Sequence, residues 1–142
     1  MRKRLAMALI AALAAAGCAR GVPIDPATGD PPQIVHDAAT NSDRIVLSEQ
    51  AAGRLGITTA PVRQLPGTGL AEVPVAAVLY DQDGTTWVYT SPSPLNYVRQ
   101  AVTLGPVDAD QWELTSGPAP GTLVVTVGGA ELLGAELGVE GE

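Results

Sequence analysis

The one cysteine of this 142-residue chain, Cys18, constrains the fold more than any other residue. It stands directly after Ala15-Ala16-Gly17, at the end of a basic start (M-R-K-R) and an apolar stretch from Leu5 to Ala16. A positive n-region, a short apolar h-region and small residues before the cut are the parts of a secretory signal peptide. A cysteine at the cut makes it the lipoprotein type, in which the thiol takes a lipid and residue 18 becomes the mature N-terminus. The apolar stretch is too short to span a bilayer, which needs about 20 residues. The expectation is therefore a signal peptide at 1–17 and a lipidated Cys18, with the protein held on the periplasmic side of the cell envelope by acyl chains such as palmitate. Each buried CH₂ of such an anchor contributes about 0.8 kcal/mol, and several chains make it durable. With the thiol used this way, the fold has no disulfide, no thiolate nucleophile and no cysteine-ligated metal.

Removal of Arg2, Lys3 and Arg4 takes the eight positive residues to five against fifteen acidic ones, a formal charge of −10. Such a surface repels nucleic acid, so none is expected as a partner. The mature chain has no lysine and no methionine, which removes lysine catalysis and thioether ligation of soft metals. It has no Phe; its aromatic residues are Trp87, Trp112, Tyr80, Tyr89 and Tyr97, and the core must rest on Val, Leu, Ile and Ala. That suffices for one domain of about 100 residues.

Residues 18–43 are rich in Pro, Gly, Asp and Thr without an apolar period, and read as a flexible lipidated tether. His36, the one histidine, lies in it and reads as a solvated residue. Order is expected from Arg44, giving a single domain at 44–142. Ile45-Val46-Leu47 reads as a strand, and Ser48 as the N-cap of a helix that ends at Leu55 with Gly56 as its stop. Ile57 to Val62 returns as a β segment. Val73 to Thr90 reads as a hairpin turning at Asp81-Gln82-Asp83-Gly84, where Gly84 supplies the positive φ of a tight turn. The D-x-D-G lacks the later ligands of a calcium loop. Tyr97 to Leu104 alternates, with Tyr97, Arg99, Ala101 and Thr103 on one face. Gln111 to Thr115 and Leu123 to Val127 are further strands, Gly128-Gly129 breaks the last, and Ala130 to Leu137 suits a helical turn or two. The fold class is mainly β, a small antiparallel barrel or roll with one short helix.

No catalytic set emerges. His36 has no Ser or Asp partner in a triad pattern. Asp81 with Asp83, and Asp108 with Asp110, sit in turns where acids are ordinary. Gly128-Gly129-Ala130 lacks the remainder of a dinucleotide fingerprint. The chain reads as a non-enzyme, with no metal and no cofactor. An enlarged cleft lined by Trp87, Trp112 and Tyr89 would instead point to a small-ligand-binding lipoprotein.

From Val73 onward the chain resembles the membrane-proximal module of periplasmic adaptor subunits (membrane fusion proteins) of resistance-nodulation-division efflux pumps. The segments carrying this are V-P-V-A-A-V (73–78), D-G-T-T-W-V-Y (83–89), V-R-Q-A-V-T-L-G (98–105), W-E-L-T-S-G (112–117), P-G-T-L-V-V-T-V-G-G-A (120–130) and L-L-G-A-E-L (132–137). Upstream, I-V-L-S-E-Q-A-A-G-R-L-G-I-T-T-A-P-V (45–62) is similar to the opening of the mature region in the cation-efflux branch. In that family a β-barrel, a lipoyl-like domain and a helical hairpin separate the two parts; here Arg63 to Glu72 alone lies between them. The resemblance implies a lipid-anchored, non-catalytic adaptor or accessory module whose partner is the inner-membrane pump. Tyr97 and Arg99 are the candidate partner-binding residues, Arg99 because it is one of few cations on an acidic body and is expected to point outward. The other readings are a free-standing envelope lipoprotein that binds a small ligand and a truncated adaptor without a partner.

Overall fold

The first element among the described residues lies inside the segment read as a tether. The computed structural model describes residues 30–38 and 42–138; the signal peptide, Cys18 and the tether as far as residue 29 lie outside the described residues. Strand β1 (Gln33–Asp37) pairs with β2 (Ser42–Val46) through five consecutive positions, from Gln33↔Val46 to Asp37↔Ser42. His36 is exposed, as read, but not alone: its Nδ1 lies 2.7 Å from Asp43 Oδ1. The order expected from Arg44 thus starts earlier. Q-I-V-H-D has too little alternation to announce a strand, and what holds it is the partner strand.

The elements that follow are α1 (Glu49–Leu55), β3 (Thr58–Pro61), β4 (Arg63–Gln64), β5 (Ala71–Pro74) and a 3-10 turn (Val75–Ala77). Then come β6 (Leu79–Tyr80), β7 (Thr86–Ser93), β8 (Asn96–Ala101), β9 (Thr103–Asp108), β10 (Gln111–Ser116), β11 (Leu123–Val127) and α2 (Gly129–Glu136). Helix α1 has the predicted caps: Ser48 Oγ accepts from the Ala51 N–H at 3.1 Å, and Gly56 takes the left-handed conformation (φ 63°). A second helix, α2, forms where a turn or two was read. It starts at Gly128, whose φ of +89° disfavours a side chain and where a Cβ would meet Ile57 Cδ1 at 2.2 Å.

Two segments read as single strands are broken. V-P-V-A-A-V-L-Y leaves one sheet and enters another: β5 pairs with β10, while only Leu79 and Tyr80 pair with β7. Pro74 ends β5, since it has no N–H for a ladder, and the Val75 N–H donates instead to the Asp110 carbonyl at 2.8 Å. The predicted turn is present in the short hairpin that remains. The Gly84 N–H donates to the Asp81 carbonyl at 3.0 Å, with Gly84 at φ 85°. Hydrogen bonds from Thr85 hold the Asp83 carboxyl below its usual range. Likewise Tyr97 to Leu104 divides at Val102, whose N–H donates to the Thr86 carbonyl at 3.0 Å. Before it β8 belongs to the large sheet; after it β9 belongs to the small one.

Among the described residues the strands form a seven-stranded sheet, in the order β1-β2-β8-β7-β11-β3 with β6 on β7, and a four-stranded sheet, β4-β5-β10-β9. All pairings are antiparallel, in keeping with the mainly β class. Closure comes from stacking. The helices cover one face of the large sheet, burying Ile45, Leu47, Ala51, Trp87, Tyr89, Tyr97, Val125 and Leu132 together. The small sheet covers the other, burying Val62, Val73, Ala77, Val78, Val88, Val102, Leu114 and Val124. Strands β7 and β11 serve both cores by simple alternation: Trp87 and Tyr89 against Val88, Val125 against Val124.

Candidate functional site

Strands β7 and β8 set Arg99 directly opposite Tyr89, on the face that the helices cover. Tyr97, two residues earlier on β8, shares that face. The two candidates nevertheless differ in surroundings. Tyr97 is 4% exposed, and burial pushes its phenol pKa up. Its accessible edge lines a shallow hollow of about 380 Å³ with Ile57, Leu95 and Leu123. The Arg99 side chain keeps 32% of its surface and closes the rim beside the end of α2.

Arg99 is not a free cation pointing into solvent. Its guanidinium carbon lies 3.9 Å from the centroid of the Trp87 ring, a cation–π contact. Nη2 donates to Asp81 Oδ2 at 3.0 Å, and Nη1 lies 3.8 Å from Glu136 Oε1. Tyr89 Oη donates to the other oxygen of Glu136. Tyr89 and Trp87 meet edge to face, with centroids 5.0 Å apart and planes at 88°. Burial, reinforced by the hydrogen bond to the Glu136 carboxylate, raises the Tyr89 pKa far above its ordinary value, while Arg99 opposes the rise. The phenol is therefore a fixed donor, not a base.

Sequence reasoning picked out Arg99 but missed Asp81, Glu136 and the aromatic floor. Asp81 was assigned to a turn, which it also makes. Glu136 lies far along the chain, and no local pattern ties it to Arg99. The cluster holds no nucleophile with an adjacent base, and among the described residues no three His, Cys, Asp or Glu side chains gather as metal ligands. What it offers is recognition: a planar guanidinium, held in place on three sides, with N–H donors to spare. Trp87 and Tyr89 fill one core and Trp112 packs against the other, so the three do not converge on a cleft.

No family model matches the chain, and no curated protein matches it either. Among solved structures it is similar to the NMR structure of a 180-residue chain encompassing the N-terminal metal-binding site and the membrane proximal domain of SilB from Cupriavidus metallidurans CH34. The identity is 20% and the TM-score 0.44, over 68% of this chain and 62% of that one. The present chain thus spans less than two thirds of that neighbour's length.

Proposed function

We propose that the protein is a lipid-anchored, non-catalytic periplasmic adaptor or accessory module of a resistance-nodulation-division-type efflux system, and that it docks on the inner-membrane pump. One observation carries the reading. The segments that flank the long excursion in the adaptor family, 45–62 and 73–137, build one domain here. Strand β3 from the first pairs with β11 from the second, and Ile45, Leu47 and Ala51 pack with Trp87, Tyr89, Val125 and Leu132. The excursion is replaced by the β4–β5 hairpin, registered Arg63↔Glu72 and Gln64↔Ala71, with an Arg63–Glu72 ion pair at 2.9 Å. A domain that closes without the excursion is able to act as a module by itself.

Anchoring places this module at the membrane surface. There the effective concentration of a membrane partner is high enough for a weak interface to be occupied. The rim around Arg99 is the proposed contact; Tyr80, the residue before Asp81, is exposed, and Tyr97 is buried on the same face of β8 as Arg99. Photocrosslinkers placed at Tyr80 and Ala101 in cells are expected to trap an inner-membrane pump subunit. If no position on any face recovers a transporter, and the purified protein binds a small molecule stoichiometrically, the ligand-binding lipoprotein takes its place. The anchor has its own test: Cys18→Ser is expected to abolish lipidation and leave the precursor uncut. A mature N-terminus found by mass spectrometry at any residue other than 18 would refute it.

A further inference from the structure

The edges of the two sheets are not protected alike. A sheet edge presents unpaired N–H and C=O groups to any extended chain, and natural proteins blunt it with prolines, bulges or very short strands. Among the described residues, β3 ends in Pro61 and its ladder with β11 is interrupted between Val125 and Val127. Strand β9 carries Pro106, and its ladder with β10 shifts register twice. Strand β4 is two residues long. Strand β1 has no proline, bulge or truncation within its length, and its one carboxylate, Asp37, stands at its end. It is five residues long, contains neither proline nor glycine, and keeps unbroken register with β2.

It also carries one exposed apolar residue on each face. Ile34 and Val35 are 42% and 44% exposed. Ile34 lies opposite the buried Ile45 and so faces the helix side, where with Pro32, Leu55, Gly134 and Ala135 it lines an open, mostly apolar groove of about 520 Å³. Val35 faces the other way, opposite Arg44. The edge thus offers one apolar contact on each side of the sheet.

We propose that β1 is a self-pairing edge, at which a second copy of this chain adds its own β1 antiparallel about Val35. The register is self-complementary. A two-fold axis at Val35 sets Val35 against Val35, Ile34 against His36 and Gln33 against Asp37, so no two like charges stand opposite each other. The chain's own upstream segment is a poor occupant. It carries Pro23, Pro26, Pro31 and Pro32, each without an N–H, at intervals that break a ladder. Pairing of two copies satisfies both edges at once and joins two seven-stranded sheets into one.

The register makes the test specific. Directly opposed residues of an antiparallel pair have Cα atoms about 4.5–5.5 Å apart, within disulfide reach, whereas residues four positions out of register are beyond it. In the full-length protein, oxidised in its native membrane, Val35→Cys is expected to give a disulfide-linked dimer on a non-reducing gel. Gln33→Cys alone is expected to give none, and the unmutated chain controls for Cys18. Equal linking from Val35→Cys and from Val127→Cys, an exposed site on β11, would reduce the result to random collision and overturn the proposal. So would the absence of Val35 linking in protein with an unchanged circular-dichroism spectrum. Linking of Val35→Cys to a different protein would assign the edge to another strand.

Discussion

The two faces of the seven-stranded sheet are packed by different chemistry. Toward the small sheet the core is aliphatic and has no charge at its centre: Val62, Val73, Val88, Val124 and Leu114, with Trp112 at its margin. Toward the helices it is aromatic, with Trp87, Tyr89 and Tyr97, and its rim is closed by Arg99, Asp81 and Glu136. Stacked sheets approach to about 10 Å, a spacing that branched aliphatic side chains fill. On the helix side the large rings of Trp87, Tyr89 and Tyr97 fill the space instead. Large rings bring polar edges with them, and Tyr89 meets that demand by donating to Glu136. The contrast teaches that the recognisable chemistry of this domain gathers on one face because that face was filled with aromatics.

The largest effect is expected from charge placed where the cores meet. Val125, 2% exposed on the helix side of β11, is expected to unfold the domain when changed to Asp. An unpaired buried carboxylate costs several kcal/mol against a total of about 5–15. Loss of the cooperative thermal transition checks this. Next, truncation should separate the two faces: Trp87→Ala is expected to lose about 3–5 kcal/mol and Val88→Ala about 1–3, both read from urea midpoints. Equal losses would erase the comparison.

A smaller effect is expected at Tyr89. Tyr89→Phe removes a hydrogen bond to a carboxylate, for about 1–3 kcal/mol. It also changes the response to alkali. In the folded state the phenol keeps its proton well above the ordinary value of 10.0, while the unfolded chain releases it there. The stability from Tyr89 is therefore full below pH 10 and is lost as pH rises beyond it. The variant should show a shallower alkaline fall; Tyr97, also raised by burial, keeps the remainder. An unchanged slope in alkaline urea titrations would contradict this. The smallest effect is expected from Arg99→Lys. It retains the charge but loses the planar stacking on Trp87, for less than about 1 kcal/mol at this partly exposed rim, with a shift in Trp87 fluorescence as the sharper readout.

Some of this was legible in the chain alone, and the division follows range. The caps of α1 at Ser48 and Gly56, the turn at Asp81 to Gly84 and the strand Leu123 to Val127 depend on residues a few positions apart, and the sequence determined them. Tertiary structure decided the rest. Val102 is an ordinary strand residue in sequence, and Pro74 is a break that the run around it masked; both become corners because Val73, Val78 and Val102 all reach one core. Strand β1 exists because β2 offers it five partners. Alternation placed Tyr97 on one face with Arg99, Ala101 and Thr103. Alternation assigns a side chain to a face but not to a depth, and α1 and α2 are what cover that face. Arg99 acquires Glu136 by the same route, since α2 reaches the β7–β8 pair only after β11 has crossed the sheet. Local chemistry selects an element's ends and periods. Which face is covered, and which charge finds which partner, depends on contacts between residues far apart in sequence, and those exist only in the folded chain.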